Sequence, residues 1–184
     1  MDHQKISGHE GGMEMKVIFL DVDGVLNSQS LFEKCKEELV PIDEENIKYL
    51  KQIVDATGAS IVLSSSWRYG WTKHSDNVQD WCRLLVDTLK KYQLRIIDKT
   101  EYLSNGRRED EIKDWLEKSS EPVENFVILD DGDYDWRRHG YEKYLVKTDF
   151  CTRGLQREHA ERAISILKKP PFWKFWKRWK SENR

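Results

Sequence analysis

The sequence predicts one α/β domain whose mostly parallel sheet is covered by helices on both faces. Three observations support this fold class. Short apolar runs alternate along the chain with longer segments of helical periodicity, which is typical of parallel strands and their crossover helices. The chain has 184 residues, about the size of one domain, and its 38% apolar residues suffice for a single core. No interdomain linker precedes Pro170.

The first three elements are defined by apolar runs and by the residues that end them. Residues 16–20 (KVIFL) are a buried strand, because the run is apolar after its first residue and stops at acidic residues. Residues 42–56 carry apolar side chains at helical spacing between Pro41 and Gly58, which indicates a helix. Residues 59–63 (ASIVL) are a second buried strand that runs into three serines.

The same alternation continues through the second half of the chain. Residues 78–92 have the spacing of an amphipathic helix, and a short strand follows them. The remaining predicted elements, in order, are the strand at 94–97, a helix at 107–117, a strand at 125–129 (NFVIL), a weaker strand at 144–146 and a last helix at 158–167.

The charge of the chain is divided between an acidic body and a basic tail. The whole chain has a net charge of −2, but residues 168–184 contain seven basic residues and one acid, so the rest carries −8. Such a body does not favour strong nonspecific binding to nucleic acid. No window approaches about 18 uncharged apolar residues, which excludes a membrane-spanning helix.

The cysteines and the termini indicate the compartment and the domain limits. Cys35, Cys82 and Cys151 are odd in number and widely spaced, so they suggest neither a disulfide framework nor a zinc pair, and we expect reduced thiols in a cytoplasmic protein. Residues 1–14 lack the apolar core of a signal peptide and are expected to form a disordered leader. The folded domain is predicted at 15–169 and a basic aromatic tail at 170–184.

Polar side chains gather where the predicted strands end. Because ligands bind at the carboxyl ends of parallel strands, these side chains are expected to share one edge of the sheet. Clustered carboxylates repel one another unless a divalent cation lies among them, and all-oxygen ligands favour Mg²⁺ over zinc. A lysine and a hydroxyl group nearby suit phosphate oxygens, so the set indicates phosphoryl transfer through an aspartyl-phosphate. The residues are Asp21, Asp23, Ser64, Lys113, Asp130, Asp131 and Asp135.

Four motifs of the chain resemble those of the haloacid dehalogenase-like (HAD) phosphohydrolases. VIFLDVDGVLN is similar to the family's first motif, which contains DxDG, and Ser64, Lys113 and ILDDGDYD resemble the second, third and fourth motifs, in the family's order. Residues 107–113 (RREDEIK), with a DD pair 17 residues beyond the lysine and WRR following, are similar to the 3′-phosphatase domain of phage polynucleotide kinase. LDVDGVLN together with LSSSWR is similar to the HAD domains of predicted RNA-repair proteins.

This resemblance implies a three-layer Rossmann-like HAD fold and a role for each motif residue. Asp21 is expected to attack phosphorus, and Asp23 to protonate the leaving oxygen and then to deprotonate the hydrolytic water. Ser64 is expected to hydrogen-bond a phosphoryl oxygen. Lys113 is expected to offset the negative charge, a contact that can be worth roughly 3 kcal/mol. Ser65 or Ser66 could replace Ser64, and Lys99 could replace Lys113.

The resemblance also implies a metal site and contacts to the substrate. Mg²⁺ is expected on Asp21, on the backbone carbonyl of Asp23 and on Asp131, with Asp130 and Asp135 nearby or one of them in place of Asp131. The candidates for binding the substrate are Ser65, Arg68 and Arg107. For Arg107 and its neighbour Arg108, the alternative is an ordinary charge at the start of a helix.

The short segments between the motifs predict a minimal cap and therefore an open cleft. Only 14 residues, 28–41, follow the first motif before the next helix, and residues 65–107 are largely used by a helix and a strand of the body. An open cleft suits a polymer end, so the expected substrate is a terminal phosphate on nucleic acid. A phosphatase of 5′-nucleotides or of small phosphometabolites is the nearest alternative, and a noncatalytic interaction module is another. No obligate partner is evident.

The tail alternates aromatic and basic residues (PFWKFWKRWK). This pattern fits an interfacial helix on an anionic membrane, and it also fits single-stranded nucleic acid, whose bases stack on aromatic rings. A third interpretation is that Trp173 and Trp176 pack on the body and complete its core.

Overall fold

A computed structural model describes residues 15–35, 41–74 and 77–170. The predictions for the leader at 1–14 and for the tail beyond Pro170 concern residues outside these ranges. The described residues form five strands and five α-helices. In chain order these are β1 (Met15–Leu20), α1 (Gln29–Lys34), α2 (Glu44–Thr57), β2 (Ser60–Leu63), α3 (Asp80–Lys91), β3 (Ile96–Lys99), α4 (Arg108–Lys118), β4 (Val123–Asp130), β5 (Leu145–Lys147) and α5 (Arg157–Lys168).

The strands form one fully parallel sheet with the order β3-β2-β1-β4-β5. Strand β1 lies at its centre, and Leu20 at its end is aligned with Leu63 of β2 and Leu129 of β4. The carboxyl ends of these three strands are therefore neighbours. The predicted α/β class with a parallel sheet, as in the Rossmann-like HAD fold, is confirmed.

Alternate side chains of the sheet enter two separate cores, which makes the molecule three-layered. Ile18 and Leu20 of β1 pack with apolar residues of α2, α3 and α5, whereas Val17 and Phe19 pack on the opposite face with α4. Successive side chains of a strand point to opposite faces, so a strand covered on both faces must be apolar at every position. The sequence KVIFL has this property from its second residue onward.

The structure adds one helix to the predicted elements and shifts the ends of several others by up to two residues. Helix α1 was not predicted; it is six residues long with no buried residue, so its sequence has no apolar periodicity to detect. Strand β3 begins two residues later than predicted, because Gln93 adopts a positive φ of 59° and Leu94 turns back to donate a backbone hydrogen bond to Leu89. Leu94 is buried in the core, so its apolar character predicted its burial correctly, but Leu94 lies in the segment before β3 and not in the strand.

The described segments beside the carboxyl edge contain no separate lid domain. Between β2 and α4 the described chain forms a 3₁₀ turn at Ser66–Tyr69, helix α3 and strand β3, all of which belong to the sheet or pack near it. Between β1 and α2 it forms the loop after Leu20 and the short α1. Within the described ranges, every helix is too short or too polar to cross a membrane.

Candidate active site

The candidate site lies at the carboxyl ends of β1, β2 and β4. Asp21 directly follows β1, Ser64 directly follows β2, and Asp130 is the last residue of β4. The backbone N–H of Asp21 donates to the carbonyl of Leu129, and that of Ser64 donates to the carbonyl of Leu20, which fixes the three strand ends relative to one another. The parallel register thus brings together residues that lie more than 40 positions apart in the sequence.

Three carboxylates gather at this edge. Oxygen atoms of Asp21, Asp130 and Asp131 all lie within 4.8 Å of one another. Asp130 is only 1% exposed; its Oδ1 accepts a hydrogen bond of 2.7 Å from the backbone N–H of Gly132, whereas its buried Oδ2 has no hydrogen-bond partner in the described part of the chain. The prediction left Asp130 and Asp131 as alternatives at the metal, and the structure places both in the cluster.

Burial makes these carboxylates hard to ionise. Desolvation raises the pKa of Asp21, even though Arg108 and a hydrogen bond from Ser65 oppose the effect. Desolvation, together with the negative charge of Asp21, raises the pKa of Asp130 to about 7. The pKa of Asp131 is also raised, mainly by desolvation. Without a counterion these groups repel one another, and a divalent cation would remove that repulsion.

The donor set fits Mg²⁺. It consists of carboxylate oxygens only, which hard cations prefer, and Asp130 offers a buried oxygen that has no other partner among the described residues. Neither sulfur nor imidazole belongs to the cluster of three. The residues that would hold the ion are Asp21, Asp130 and Asp131.

Asp23 is held apart from this cluster by two side-chain donors. Its Oδ1 accepts 2.8 Å from Nδ2 of Asn27, and its Oδ2 accepts 3.2 Å from Nε1 of Trp67. Asn27 in turn accepts 3.0 Å from the backbone N–H of Gly24, so the turn and the carboxylate are fixed together. With both oxygens held by these donors, a contact from Asp23 to the metal would come from its backbone carbonyl. Asp21 and Asp23 therefore have separate environments.

Gly24 is required by the close approach of β4. Its φ is 72°, a left-handed conformation, and a Cβ at this position would lie 2.2 Å from Oδ2 of Asp131. The glycine thus lets the turn after Asp23 pass directly beside a predicted metal ligand.

The structure places Arg108, rather than Lys113, beside the carboxylates. Nη1 of Arg108 lies 3.7 Å from Oδ1 of Asp21 and 3.8 Å from Oδ2 of Asp130; it is buried and has no hydrogen-bond partner in the described segments. Lys113 is exposed and pairs with Glu117 at 2.6 Å along the same helix. Five positions after Arg108, Lys113 lies on a different face of α4. This position gives no support to the expected role of Lys113 as the anion clamp, which stays a prediction.

A second arginine, Arg68, is fixed by a buried ion pair. Its Nη1 and Nη2 donate 2.8 and 2.9 Å to the two oxygens of Glu111, and Nη1 also lies 3.2 Å from the hydroxyl of Thr100. Nε of Arg108 is 3.9 Å from Oε2 of the same Glu111, so the two arginines share one carboxylate. In the structure the guanidinium of Arg68 is paired with Glu111, which also lies beside Arg108; the expected contact of Arg68 with substrate stays a prediction.

For two further basic residues, the hydrogen bonds in the structure are to groups other than the clustered carboxylates. Nζ of Lys99, the alternative to Lys113, donates 2.8 and 3.1 Å to the backbone carbonyls of Arg68 and Trp71. Arg107 precedes α4 as its exposed N-cap, and its backbone N–H donates 3.1 Å to Oδ1 of Asn105. Its contact with substrate stays a prediction.

The serines after β2 have different surroundings. The hydroxyl of Ser65 donates a hydrogen bond that lowers the pKa of Asp21, and its Oγ lies 3.4 Å from the backbone N–H of Trp67. Oγ of Ser64 is buried and lacks a partner among the described residues. Ser66 is exposed. Ser64 and Ser65 are thus both available at the edge, and their contacts with a phosphoryl group stay predictions.

Asp135 lies outside the carboxylate cluster. It is exposed and occupies the N-cap position of a 3₁₀ turn, Trp136–His139. Asp135 follows the end of β4 by five residues and is not among the acids whose oxygens lie within 4.8 Å of one another. The structure thus gives no support to the predicted place of Asp135 at the metal.

Sequence reasoning gave no role to Asn27 and Glu111, and it did not find the contact that Trp67 makes in the site. Asn27 and Glu111 are fully or almost fully buried polar residues, a property that no apolar pattern reveals. The position of Trp67 directly after the second motif suggests either a core residue or a contact with substrate; it is buried, and its ring nitrogen donates a hydrogen bond to Asp23. The spacing of Arg108 and Glu111 by three positions at a helix start was a detectable signal, because such residues share one face.

In the comparison with protein families, one family matches most of the chain. Residues 17–160 match the family described as the HAD domain in Swiss Army Knife RNA repair proteins. Neither the curated proteins nor the solved structures gave a significant match. The matched range contains every carboxylate and arginine described above.

Proposed function

Since the chain belongs to the family of HAD domains in Swiss Army Knife RNA repair proteins, we propose that it is a Mg²⁺-dependent phosphomonoesterase that removes a terminal phosphate from nucleic acid. The observation that carries the proposal is the surroundings of Asp21. This buried carboxylate lies within 4.8 Å of two other acids and 3.7 Å from a buried arginine that has no hydrogen-bond partner on Nη1 in the described chain. A metal cation and a phosphoryl group would satisfy both features.

Asp21, Asp130 and Asp131 would hold Mg²⁺. The bound cation supplies positive charge that offsets the charge of the phosphoryl group and of the carboxylates around it. It would also keep Asp21 ionised despite burial, which nucleophilic attack requires.

The reaction proceeds in two displacements at phosphorus. First, an oxygen of Asp21 bonds to phosphorus while the ester oxygen leaves and takes a proton from Asp23. Next, Asp23 removes a proton from water, the water oxygen bonds to phosphorus, and the bond to Asp21 breaks. The products are an alcohol and inorganic phosphate, and both aspartates return to their initial states. The hydrogen bonds from Asn27 and Trp67 hold the carboxyl group of Asp23 in one orientation for both proton transfers.

Arg108 is the cationic clamp in this proposal. Its Nη1 is unpaired within the described residues and lies 3.7 Å from Asp21 and 3.8 Å from Asp130, so Nη1 can donate a hydrogen bond to a phosphoryl oxygen without breaking an existing one. The carboxylate of Glu111 lies beside the opposite side of the guanidinium. Ser64, with its unpartnered buried hydroxyl, supplies a further donor.

The proposed substrate is the end of a nucleic-acid strand. Two observations favour it: the family is named for RNA repair, and the described segments at the carboxyl edge form no lid that would enclose a small metabolite. A polymer end can cover the site itself and exclude water during the reaction.

A substrate screen tests this proposal. Purified protein with Mg²⁺ is assayed on 3′- and 5′-phosphorylated DNA and RNA oligomers, mononucleotides and phosphopeptides, each with and without EDTA. The expected result is phosphate release that is fastest on oligomers and is lost in EDTA. Faster release from mononucleotides or phosphopeptides would contradict the substrate, and release that persists in EDTA would contradict the metal.

A further inference from the structure

Exposed aromatic rings are concentrated at the carboxyl edge of the sheet. In the described ranges, three tyrosines are exposed, and each follows a different strand: Tyr69 after β2, Tyr102 after β3 and Tyr134 after β4. Their exposed fractions are 62%, 56% and 37%. An exposed apolar ring loses the free energy that burial would provide, so a group of them at one edge points to a partner that covers them.

Two of these rings pack against the same buried cation, the guanidinium of Arg68. The guanidinium carbon of Arg68 lies 5.5 Å from the ring centre of Tyr69 and 5.9 Å from that of Tyr102. The two ring centres are 6.3 Å apart with an angle of 54° between their planes. Because Arg68 is itself fixed by Glu111, the two rings rest on a rigid base, and little ordering is needed when a ligand binds.

The tyrosine pair is connected to the candidate catalytic site through charged side chains. Arg68 pairs with Glu111, Glu111 lies 3.9 Å from Arg108, and Arg108 lies 3.7 Å from Asp21. Tyr134 stands over Arg108 itself, with its ring centre 5.3 Å from the guanidinium carbon. The three rings thus extend along the carboxyl edge of the sheet from Arg108, the proposed clamp of the phosphoryl group, toward β3.

From this arrangement we infer that Tyr69 and Tyr102 form a subsite that stacks the nucleobases next to the terminal phosphate, an inference that rests on the proposed function. Every nucleobase has a π-face, so stacking on tyrosine binds a strand without demanding one sequence. Arg68 strengthens the subsite by fixing the rings from the side that faces the protein. Residues 1–167 have a net charge of −8, so the attraction of this part of the chain to the phosphate backbone is weak and ring stacking carries the binding of the strand next to the site.

Substrates that lack bases test the subsite directly. Single-stranded oligomers with the terminal phosphate that the enzyme removes are compared with the same oligomers carrying abasic residues at the two nucleotides nearest that phosphate. For the wild-type protein, kcat/KM is expected to fall about tenfold or more on the abasic substrate, in line with stacking energies per base. In the Tyr69→Leu/Tyr102→Leu variant the ratio of the two kcat/KM values should approach one. The ratio is internal to each protein, so partial loss of folded protein does not affect it.

Two matched variants serve as controls. Tyr69→Phe/Tyr102→Phe keeps both rings and should retain the wild-type ratio. Tyr92→Leu removes a tyrosine that caps α3 and bonds Glu44, away from the carboxyl edge, and should also retain it. A wild-type ratio near one, or an unchanged ratio in the double leucine variant, would overturn the inference while hydrolysis of oligomers still supports the proposed function. Absence of oligomer hydrolysis together with turnover of small esters would overturn both.

Discussion

The burial of Asp130 destabilises the folded protein at neutral pH when no cation is bound. This residue is almost fully buried, it lies beside Asp21, and Oδ2 finds no donor in the described part of the molecule. Its pKa is raised to about 7 from an ordinary value of 3.8, so the folded protein binds a proton that the unfolded chain releases. Stability therefore falls as the pH rises from about 4 to about 7, the window between the two values. A divalent cation would remove this cost, which supports Asp130 as a ligand of the metal.

This cost predicts the behaviour of an Asp130→Asn variant. In EDTA at pH 8 the variant should be more stable than the wild type, because it has no carboxylate to ionise; near pH 4 the two should have similar stability. A difference of about 1 kcal/mol would shift Tm by roughly 2–4 °C for a chain of this size. Thermal unfolding against pH measures it, and Asp135→Asn is the control at an exposed acid. Addition of Mg²⁺ should reverse the order at pH 8. A wild-type Tm that rises from pH 5 to 8 in parallel with that of Asp130→Asn would contradict the assignment.

Arg108 and Lys113 give opposite predictions on the same helix. Arg108→Ala removes the cation 3.7 Å from Asp21, and kcat should fall by about a hundredfold or more, as for other charge-stabilising contacts. Lys113→Ala changes an exposed side chain and should alter turnover by less than about twofold. Steady-state kinetics on a small aryl phosphate distinguish the two, with circular dichroism as the check on folding. If Lys113→Ala were the inactive variant, the placement of α4 would be wrong.

The strand ends were predictable, whereas the direction of each side chain on α4 was not. Each strand of the site is an apolar run that stops at acids or serines, so Asp21, Ser64 and Asp130 could be assigned to one edge from the pattern alone. A helix with basic residues at several positions offers more than one cation to that edge. Which of them points inward depends on where the helix begins and which face packs on the sheet, and Arg108 is both the first residue of α4 and buried.

The geometry of the turn after β1 leads to a prediction for the substitution of Gly24 by alanine, which adds one methyl group beside Asp131. Gly24→Ala would force a residue with a Cβ into a left-handed φ, at about 1–2 kcal/mol, and would push it against Asp131. The Mg²⁺ concentration for half-maximal activity should rise about tenfold or more, as when a metal ligand loses its support. Gly58→Ala is the matched control: its φ is 68°, but its Cβ would meet open space, so it should lose stability and keep the Mg²⁺ dependence. Equal Mg²⁺ curves for Gly24→Ala and the wild type would contradict the account of the turn.

The molecule as a whole combines an acidic catalytic body with a basic aromatic tail. Helix α5 closes the described body: Ala160, Ala163 and Leu167 are buried, and the side-chain amide of Asn125 donates to the carbonyls of Ile166 and Lys169. Helix α5 is the last element of the described residues. The role of the residues beyond it stays a prediction from their sequence.

Truncation after Lys169 tests that prediction. The shortened chain should fold and keep its kcat on a small aryl phosphate, because the site lies entirely within the described body. If the tail binds nucleic acid, KM for oligomers should rise and its dependence on salt should flatten, since fewer counterions are released. If it binds lipid, oligomer kinetics should not change and binding to anionic vesicles should be lost. An insoluble or strongly destabilised product would show instead that the tryptophans belong to the core.

The phosphoenzyme is the central claim, and quenching the reaction during turnover tests it most directly. Protein with Mg²⁺ and an activated phosphate ester is quenched in acid, reduced with borohydride and digested, and the peptide containing Asp21 is analysed by mass spectrometry. We predict a phosphoryl adduct on Asp21 that borohydride converts to homoserine, no adduct in Asp21→Asn, and some adduct in Asp23→Asn, since a good leaving group needs little protonation. Turnover without an adduct on Asp21, or near wild-type turnover by Asp21→Asn, would contradict the mechanism.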